Sequence, residues 1–340
     1  MHRSELTIDL GALRRNVRTL VRVLDGAELW AVVKADGYGH GAVDVAAAAL
    51  GSGATALCVA TVAEGLALAQ EFRDARIIVM GPTSSSRDLA HARDADLELA
   101  ISDAEIPDGI RVHLKLDTGM GRYGLARLPE LTDNVVGVMT HLATADSDEA
   151  FARAQLERFL GSAPEREGLT RHAANSAAAL RIPEARLDAA RCGVAIYGLS
   201  PFGTDPAEDG LEPVLSWHSH LAQVKLLQPG ESTGYGRRFV AHEPTWIGLV
   251  PVGYGDGFRR DLTGTQVRVA GEPRPAVGTV SMDSFAVELD RELPVGTPVV
   301  LVGQGVLAER HAEVAGTINY ELVCGISSDP LRTRRSILDG

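Results

Sequence analysis

Short apolar runs alternate with helical segments through about the first 200 residues, and this alternation limits the possible folds more than any other feature. The runs are rich in β-branched residues and are typical of strands buried on both faces. Eight such strand–helix units predict a closed (β/α)8 barrel of the TIM type, and an open doubly wound sheet is the competing layout. The strand predictions are Leu29–Lys34, Ala56–Ala60, Ile77–Met80, Leu97–Ile101, Val112–Leu116 and Val135–Leu142, with two shorter units around His172–Ala173 and Ala190–Gly193.

Helices are predicted between several of these strands. Asp9 is a candidate N-cap for a first helix, because apolar residues recur after it at helical spacing. Further helices are predicted over Gly41–Leu50, Val62–Phe72, Arg87–Asp94 and Asp148–Leu160.

The sequence changes character near Gly203–Pro213, which is rich in Gly, Pro and acidic residues and is typical of a linker. Helical periodicity largely vanishes beyond it, and short β-rich runs take its place. We therefore expect an α/β protein in which a barrel of residues 1–212 is followed by a mostly β domain of residues 213–340. The sequence does not decide whether the first few residues pair with the β domain. The β runs are Ser219–Leu227, Thr245–Val252, Gln266–Val269, Ser284–Leu289 and Pro298–Val302.

Charge and composition narrow the class of partner. The net charge of −12 argues against nucleic acid as the main partner. The sequence has no apolar run approaching the ~20 residues of a membrane span, and its N-terminus lacks the apolar region of a signal peptide. The three cysteines Cys58, Cys192 and Cys324 are far apart, without metal-ligand spacing. A cytoplasmic protein with reduced thiols and no metal is expected.

Lys34 is the first candidate for chemistry. It ends a predicted strand and is followed within seven residues by Gly37, Gly39 and Gly41, which let the backbone turn sharply near a ligand. Ligands bind at such strand-to-helix loops in parallel α/β folds. Of 33 Lys and Arg residues only Lys34, Lys115 and Lys225 are lysines, so a retained lysine favours a role that Arg cannot fill, such as attack on a carbonyl as a free amine. The alternative is a strand-end lysine pointing into solvent.

The stretch Lys34-Ala-Asp-Gly-Tyr-Gly-His-Gly41 resembles the pyridoxal-phosphate (PLP) lysine motif of bacterial alanine racemases. Seven further stretches continue the resemblance over nearly the whole chain. It implies a PLP enzyme that interconverts L- and D-alanine for D-alanine and peptidoglycan precursor supply. Lys34 would bind the cofactor covalently, and Tyr38 would lie in the cofactor site.

Other barrel motifs supply further candidates by the same resemblance. In Lys115-Leu-Asp-Thr-Gly-Met-Gly-Arg122, Arg122 would contact the PLP phenolic oxygen and the substrate, and Lys115 is a candidate for carbamylation. A carbamate would hold Arg122 in place, and a structural Lys–Asp pair is the alternative. His141, in Thr140-His-Leu-Ala-Thr-Ala-Asp146, would pack near the PLP ring.

Two later motifs would bind the phosphate and the ring nitrogen of PLP. In His172-Ala-Ala-Asn-Ser176, Ser176 resembles a phosphate ligand with Asn175 beside it, and a plain helix cap is compatible with that role. In Arg191-Cys-Gly-Val-Ala-Ile-Tyr-Gly198, Gly193 and Val194 would offer amides to the phosphate. Arg191 would face the pyridine nitrogen and, as a charged donor, keep that nitrogen unprotonated. That should disfavour transamination.

The β domain would complete the site. Tyr235, in Ser232-Thr-Gly-Tyr-Gly236, resembles the second catalytic base, although the following Arg237-Arg-Phe departs from the family pattern. Tyr254 would line the substrate access channel, and Met282 would bind the substrate carboxylate through its backbone. Tyr320 resembles a phosphate-contacting tyrosine. Arg259 and Arg260 do not match the family spacing and receive no role.

The resemblance implies a two-base mechanism in a homodimer. Lys34 would serve the face of Cα that carries the hydrogen in D-alanine, and Tyr235, from the second subunit, would serve the L-face. Three alternatives remain: a decarboxylase of the same barrel type, a racemase of broader amino-acid specificity, and a non-catalytic PLP-binding barrel protein. Decarboxylases of this type are longer and use a cysteine-based partner site. Broad-specificity racemases usually carry an export signal, and the non-catalytic proteins lack the β domain.

Overall fold

A computed structural model describes residues 2–103, 105–303 and 305–340. Within it the chain forms two compact units. One comprises Leu13–Phe202 and Asp209–Glu212, and the other comprises Gly203–Glu208, Pro213–Gly340 and the N-terminal segment up to Ala12. The chain begins with strand β1 (Glu5–Asp9) and helix α1 (Leu10–Leu24), which starts where the Asp9 carboxylate accepts a hydrogen bond from the amide of Ala12. Asp9 therefore caps this helix, as its sequence predicts.

The first unit is a parallel β-barrel. Its eight strands are ordered β8-β7-β6-β5-β4-β3-β2-β9. The two end strands meet through backbone hydrogen bonds from Asp188 to Arg171 (3.1 Å) and from Arg191 to Ala174 (3.0 Å), which close the sheet on itself. This confirms the TIM-type barrel and rejects the open doubly wound sheet. The strands are β2 (Glu28–Val32), β3 (Ala54–Val59), β4 (Ile77–Val79), β5 (Glu98–Ile101), β6 (Val112–Lys115), β7 (Val135–Met139), β8 (Thr170–His172) and β9 (Ala189–Cys192).

Helices connect most of the barrel strands, and side-chain caps fix where several of these helices start. Thr61 and Glu64 form a reciprocal capping box at α4, and Ser85, Asp148 and Asn175 cap α5, α6 and α7. The segment α2 (Lys34–Tyr38) is a single left-handed turn, and the helices are α3 (Ala42–Leu50), α4 (Val62–Glu71), α5 (Ser86–Asp94), α6 (Glu149–Leu160) and α7 (Ser176–Arg181).

The second unit is built on a nine-stranded sheet with the order β11-β14-β17-β16-β15-β18-β10-β1-β19. Strand β1 belongs to it, antiparallel to β10 and parallel to β19. Strands β12 and β13, which fall between β11 and β14 in the chain, form a separate two-stranded sheet. The strands are β10 (Leu215–His220), β11 (Gln223–Leu227), β12 (Ser232–Thr233), β13 (Phe239–Val240), β14 (Thr245–Val250), β15 (Gln266–Val269), β16 (Glu272–Val277), β17 (Phe285–Leu289), β18 (Pro298–Val302) and β19 (Arg334–Leu338).

This unit differs from the sequence prediction in several details, among them strands β12, β13 and β16, which were not predicted. The run Ser219–Leu227 is two strands, because the chain turns at Leu221 and Ala222, whose amides bond to Thr297 and Leu249. Two helices, α8 (Ala308–Ala315) and α9 (Asn319–Cys324), lie between strands β18 and β19, where no helix was predicted. The terminal strand β19 went unpredicted because three of its five residues are exposed and the other two are only half-buried, which removes the apolar signal. In the described part of the chain, no helix is long and apolar enough to cross a membrane.

Asp256 joins both ends of the chain to the middle of the second unit. Its carboxylate is fully buried and pairs with Arg3 at 2.7 Å and with Arg332 at 2.8 Å. It also accepts a hydrogen bond from the Gly253 amide at 2.9 Å. Arg332 reaches on to Asp283 at 2.8 Å. The network therefore fixes the turn at Tyr254 and the segment around Met282 relative to each other.

Replacing Asp256 with alanine should lower the free energy of unfolding of this unit by about 3–5 kcal/mol, because Arg3 would lose its counter-charge, Arg332 one of its two, and the Gly253 amide its acceptor. Chemical denaturation measures the effect. The matched control is Asp290→Ala, whose carboxylate pairs with Arg274 and Arg291 but is 49% exposed, and it should cost at most about 1 kcal/mol. Equal losses of unfolding free energy in the two variants would show that the Asp256 network stabilises this unit no more than a half-exposed ion pair does.

Candidate active site

Lys34 opens a left-handed turn at the carboxyl end of β2. The strand ends at Val32, two residues earlier than the sequence predicts. The next five residues after Lys34 all have positive φ, between 52° and 79°, and three of them, Ala35, Asp36 and Tyr38, are not glycine. A left-handed conformation costs about 1–2 kcal/mol for such a residue. Strain of this kind is held only where the surroundings impose it, and it is concentrated at functional sites.

Glu64 and Asp36 hold this turn in place. One Glu64 oxygen accepts from the Ala35 amide at 2.8 Å, while the other accepts from the amides of Ala60 and Thr61. The Asp36 carboxylate accepts from the Ala42 amide at 2.9 Å, at the start of α3. The backbone next to Lys34 is thereby anchored to the neighbouring strand-to-helix loop and to the following helix. Glu64 was not among the predicted site residues.

Tyr38, Ser176 and Gly193 are brought together by three separate loops. The Ser176 hydroxyl accepts from the amides of Gly193 (3.1 Å) and Ala195 (3.4 Å). A β-carbon added at Gly193 would lie 2.6 Å from the Tyr38 hydroxyl oxygen, so only glycine fits there. The Tyr38 ring packs on Tyr197, 4.9 Å between centroids. Hydroxyl groups and backbone amides therefore converge here, and Val194 begins the short helical turn that follows.

Asn175 caps α7 through the Ala178 amide at 3.0 Å, so the helix cap is Asn175 and not the neighbouring Ser176. The Ser176 hydroxyl is thereby left outside the capping role. Because it accepts from two amides, its own proton is directed elsewhere.

Arg191 is buried beneath these loops, and only 3% of its surface is exposed. Its guanidinium donates to the carbonyls of Thr140 (2.8 Å), His172 (3.0 Å) and Ala173 (3.2 Å), and to the Nδ1 atom of His172 at 2.8 Å. Burial lowers its pKa to about 10, which still leaves it charged at neutral pH. A fixed buried cation therefore lies at the carboxyl end of β9.

Lys115 lies at the end of β6, beside the loop that carries Arg122. Burial, followed by the charges of Arg122 and Arg191, lowers the pKa of Lys115 to about 8. The Asp117 carboxylate accepts from the amides of Gly119, Met120 and Gly121, at 2.9 to 3.1 Å, and shapes the loop. Lys115 therefore has a sizeable neutral fraction near physiological pH, which an exposed lysine does not.

The pKa of His141 shows that several positive charges of the barrel lie close to it. Burial is the main cause that lowers its pKa to about 3, and the charges of Arg191, Lys115, Arg122 and Lys34 lower it further. Its Nδ1 lies 3.5 Å from the Arg191 guanidinium. Four basic side chains, from β6, β9 and the loops after β2 and β6, thus act on one point at the carboxyl end of the barrel. Such a site favours an anionic ligand.

The remaining predicted residues lie in the second unit. Tyr235 stands on a short helical turn and is 72% exposed, with its carbonyl held by the Thr279 hydroxyl at 2.9 Å. The amides of Tyr254 and Gly255 donate to the carbonyls of Ser281 (3.0 Å) and Met282 (2.9 Å), so Tyr254 and Met282 are neighbours. Tyr320 lies in the first turn of α9. A cavity of about 660 Å³ in this unit is lined by Arg238, Tyr254, Arg259, Arg260, Thr279 and Glu321, among others.

Comparison with known proteins gives the family. Residues 8–201 match the family described as alanine racemase, N-terminal domain, and residues 214–334 match alanine racemase, C-terminal domain. An alanine racemase of Symbiobacterium thermophilum is 41% identical, over 94% of this chain and 94% of its own length. Alanine racemase 1 of Bacillus subtilis is 40% identical, over 94% of this chain and 90% of its own length.

Solved structures of alanine racemases match the fold of this chain over its whole length. The alanine racemase of Pseudomonas aeruginosa superimposes with a TM-score of 0.91 and 34% identity, covering 100% of both chains. That of Streptomyces lavendulae gives a TM-score of 0.90 and 34% identity, covering 100% of this chain and 98% of its own. The chain belongs to the alanine racemase family.

Two residues of α6 that the sequence did not single out organise the site of this family member. The buried Gln155 accepts from the Ala143 amide at 2.8 Å and donates to the His141 carbonyl at 3.3 Å. Arg158 donates to the Thr118 carbonyl at 2.8 Å. The helix therefore ties the loop of His141 to the loop of Arg122. Both residues lie on a helical stretch with an ordinary amphipathic pattern, so no local signal marks them.

Proposed function

We propose that this chain interconverts L- and D-alanine, using PLP bound covalently through the amine of Lys34. Family membership supports the reaction, and the convergence of Lys34, Lys115, Arg122 and Arg191 on the carboxyl end of the barrel supports the anionic cofactor. The absence of a side chain at Gly193 leaves room beside the Tyr38 hydroxyl, where a β-carbon would collide.

The donor set in the barrel fits PLP. Tyr38, Ser176 and the amides of Gly193 and Val194 would hold the phosphate, with Asn175, the cap of α7, beside Ser176. Arg191 would donate to the ring nitrogen, His141 would pack against the ring, and Arg122 would face the phenolic oxygen. Bound PLP would withdraw electrons from Cα of alanine and make its hydrogen acidic.

Proton transfer then falls to two side chains on opposite faces. The Lys34 amine, once released from its bond to the cofactor, would take or return the hydrogen on the D-face, and the Tyr235 hydroxyl would do so on the L-face. The left-handed turn restricts where Lys34 can reach, because its backbone is fixed by Glu64 through Ala35. Arg122 and the Met282 backbone bind the substrate carboxylate, and Tyr254 lines the approach.

Incubation of the purified protein with L-alanine, followed by chiral chromatography, tests the reaction. Equal amounts of the two enantiomers should form, and the rate should depend on PLP. L-Serine and L-lysine, assayed in parallel, separate this proposal from a racemase of broader specificity. Release of CO₂ would indicate a decarboxylase, and PLP binding without any turnover would indicate a non-catalytic barrel protein.

We further propose a cytoplasmic homodimer in which each site combines Lys34 of one copy with Tyr235 of the other. The exposure of Tyr235, Tyr254 and Met282 (72%, 43% and 52%) supports a covering second copy, since these are large residues on one unit. Mixing Lys34→Ala with Tyr235→Phe chains under subunit exchange should restore activity, up to roughly a quarter of the wild-type value. No recovery despite proven exchange would place both residues in one copy.

Lys115 should form a carbamate with dissolved CO₂. Carbamylation needs the neutral amine, and the neutral fraction of Lys115 should fall about tenfold per pH unit below its pKa of about 8. The cations Arg122 and Arg191, which lower that pKa, would also stabilise the negative carbamate. Carbon-13 NMR with labelled bicarbonate should show one carbamate signal that grows from pH 6 to pH 8. The signal should vanish in Lys115→Arg and persist in Lys225→Arg; its persistence in Lys115→Arg would contradict the assignment.

A further inference from the structure

A continuous buried chain of side chains leads away from Arg191 through the interior of the barrel. The Nδ1 atom of His172 accepts from Arg191 at 2.8 Å, and the Nε2 atom of His172 lies 3.0 Å from Nδ1 of His113. The Nε2 atom of His113 lies 2.8 Å from a carboxylate oxygen of Glu98. Exposure is 0% for both histidines and 1% for Glu98. The chain therefore connects β9 with the first residue of β5 without contact with solvent.

The direction of the hydrogen bonds in this chain follows from its two ends. A guanidinium can only donate, so Nδ1 of His172 is the acceptor and its proton is on Nε2. That proton is donated to Nδ1 of His113, whose own proton is then on Nε2 and is donated to Glu98. Burial lowers the pKa of His172 well below its usual range, and burial lowers that of His113 despite its bond to Glu98. Both imidazoles are therefore neutral, and each holds its proton on Nε2.

Two neighbouring residues, Gly137 and Trp30, allow the rings of His113 and His172 to meet and pack against them. His113 and His172 stand on β6 and β8, with β7 between them, and Gly137 of β7 lies opposite His113. A β-carbon at Gly137 would be 2.0 Å from Nδ1 of His113, so the two rings meet only because Gly137 has no side chain. Trp30 packs against both rings, with centroids 4.5 Å from His172 and 5.6 Å from His113.

Glu98 is held as an anion at the far end. Burial raises the pKa of Glu98, but its bonds to His113 and Arg76 outweigh burial and lower the pKa overall. Arg76 donates to both carboxylate oxygens, at 2.8 and 3.0 Å, and its guanidinium lies 4.7 Å from the Trp30 ring. Arg111 adds a more exposed pair at 3.4 Å. In the described part of the chain, the hydrogen-bond acceptors of Arg191 are carbonyls and histidine nitrogens, and none is a carboxylate.

We propose that Glu98 is a positioning residue for Arg191 and acts on it through His113 and His172. A carboxylate that accepts from an imidazole fixes the tautomer and orientation of the ring and makes its other nitrogen a stronger acceptor. Two imidazoles in series extend this effect to the guanidinium of Arg191. The consequence for catalysis rests on the proposed function, in which Arg191 faces the ring nitrogen of PLP.

Nitrogen-15 NMR of the histidine-labelled protein, as purified, tests the chain itself. His113 and His172, assigned from the His113→Gln and His172→Gln spectra, should each show a protonated Nε2 and an unprotonated Nδ1, without titration from pH 6 to pH 9. Glu98→Leu should shift the signal of the protonated Nε2 of His113, which loses its acceptor, while Glu98→Gln, which keeps an acceptor oxygen, should leave that signal nearer its wild-type position. A proton on Nδ1 of either histidine in the wild type would overturn the proposal.

Kinetics test the effect on the site. Glu98→Leu should lower kcat for alanine racemisation about 10- to 100-fold, a range typical of a lost outer partner, with Glu98→Gln between it and the wild type. The control Arg111→Ala removes the exposed partner of Glu98 and should stay within about twofold of wild type.

Gly137→Ala keeps Glu98 but separates the two rings, and it should lower kcat to a similar extent. This variant decides the question if Glu98→Leu does not fold. Unchanged kcat in Gly137→Ala, or in a folded Glu98→Leu, would make Glu98 a structural residue only. If the wild type does not racemise alanine, the proposed function fails, but the NMR result still decides whether the chain exists.

Discussion

Replacement of Lys34 by alanine is expected to lower racemisation of alanine by at least roughly 10⁴-fold, the largest loss that any single substitution in this chain should cause. The variant loses the covalent attachment of the cofactor and one of the two proton-transfer groups together, and proton transfer alone contributes about 10²–10⁴-fold. Racemisation is measured by chiral chromatography at saturating PLP.

Lys225→Ala is the matched control, because Lys225 is one of only three lysines and lies on β11, in the other unit. It should retain wild-type activity. If Lys34→Ala kept more than a few per cent of wild-type activity while Lys225→Ala did not, the catalytic amine would have been assigned to the wrong residue.

Tyr235→Phe should lower racemisation about 10²–10⁴-fold while leaving one half-reaction intact. The variant lacks the hydroxyl on the L-face, but Lys34 still serves the D-face. In D₂O, proton NMR should therefore show D-alanine losing its Cα hydrogen to solvent without inversion, whereas L-alanine should keep its hydrogen.

The control for this experiment is Tyr254→Phe, in an exposed tyrosine of the same unit (43% exposed), which should slow both half-reactions equally or not at all. Exchange from L-alanine in Tyr235→Phe as fast as from D-alanine would show that Tyr235 is not the second base. Loss of exchange from both enantiomers would give the tyrosine a different role, such as binding the substrate.

The barrel was predictable because its strands and helices are encoded locally. Helix α4 was predicted over Val62–Phe72 and forms over Val62–Glu71, since the apolar pattern and a Thr–Glu capping box agree. The turn after Lys34 was predictable only in part. Glycines forecast a sharp turn, but Ala35, Asp36 and Tyr38 oppose the left-handed conformation that they adopt.

What the sequence could not provide are contacts between loops that are far apart in the chain. Glu64 is recognisable as a capping residue, yet its bond to Ala35 exists only because β2 and β3 are neighbours in the closed sheet. Glu98, His113 and His172 are likewise separated in sequence, and no local pattern places them in one chain of hydrogen bonds. In the second unit, β10 and β11 were predicted as one strand, because no glycine or proline marks the turn between them at Leu221–Ala222.

Borohydride reduction of the wild-type protein with PLP, followed by peptide mass spectrometry, shows directly whether Lys34 binds the cofactor. Reduction makes the bond between a lysine amine and the cofactor aldehyde permanent, so the adduct marks the residue that binds PLP. We expect one adduct per chain, on the peptide that contains Lys34. An adduct on Lys115 or Lys225 instead, or no adduct at saturating PLP, would contradict it.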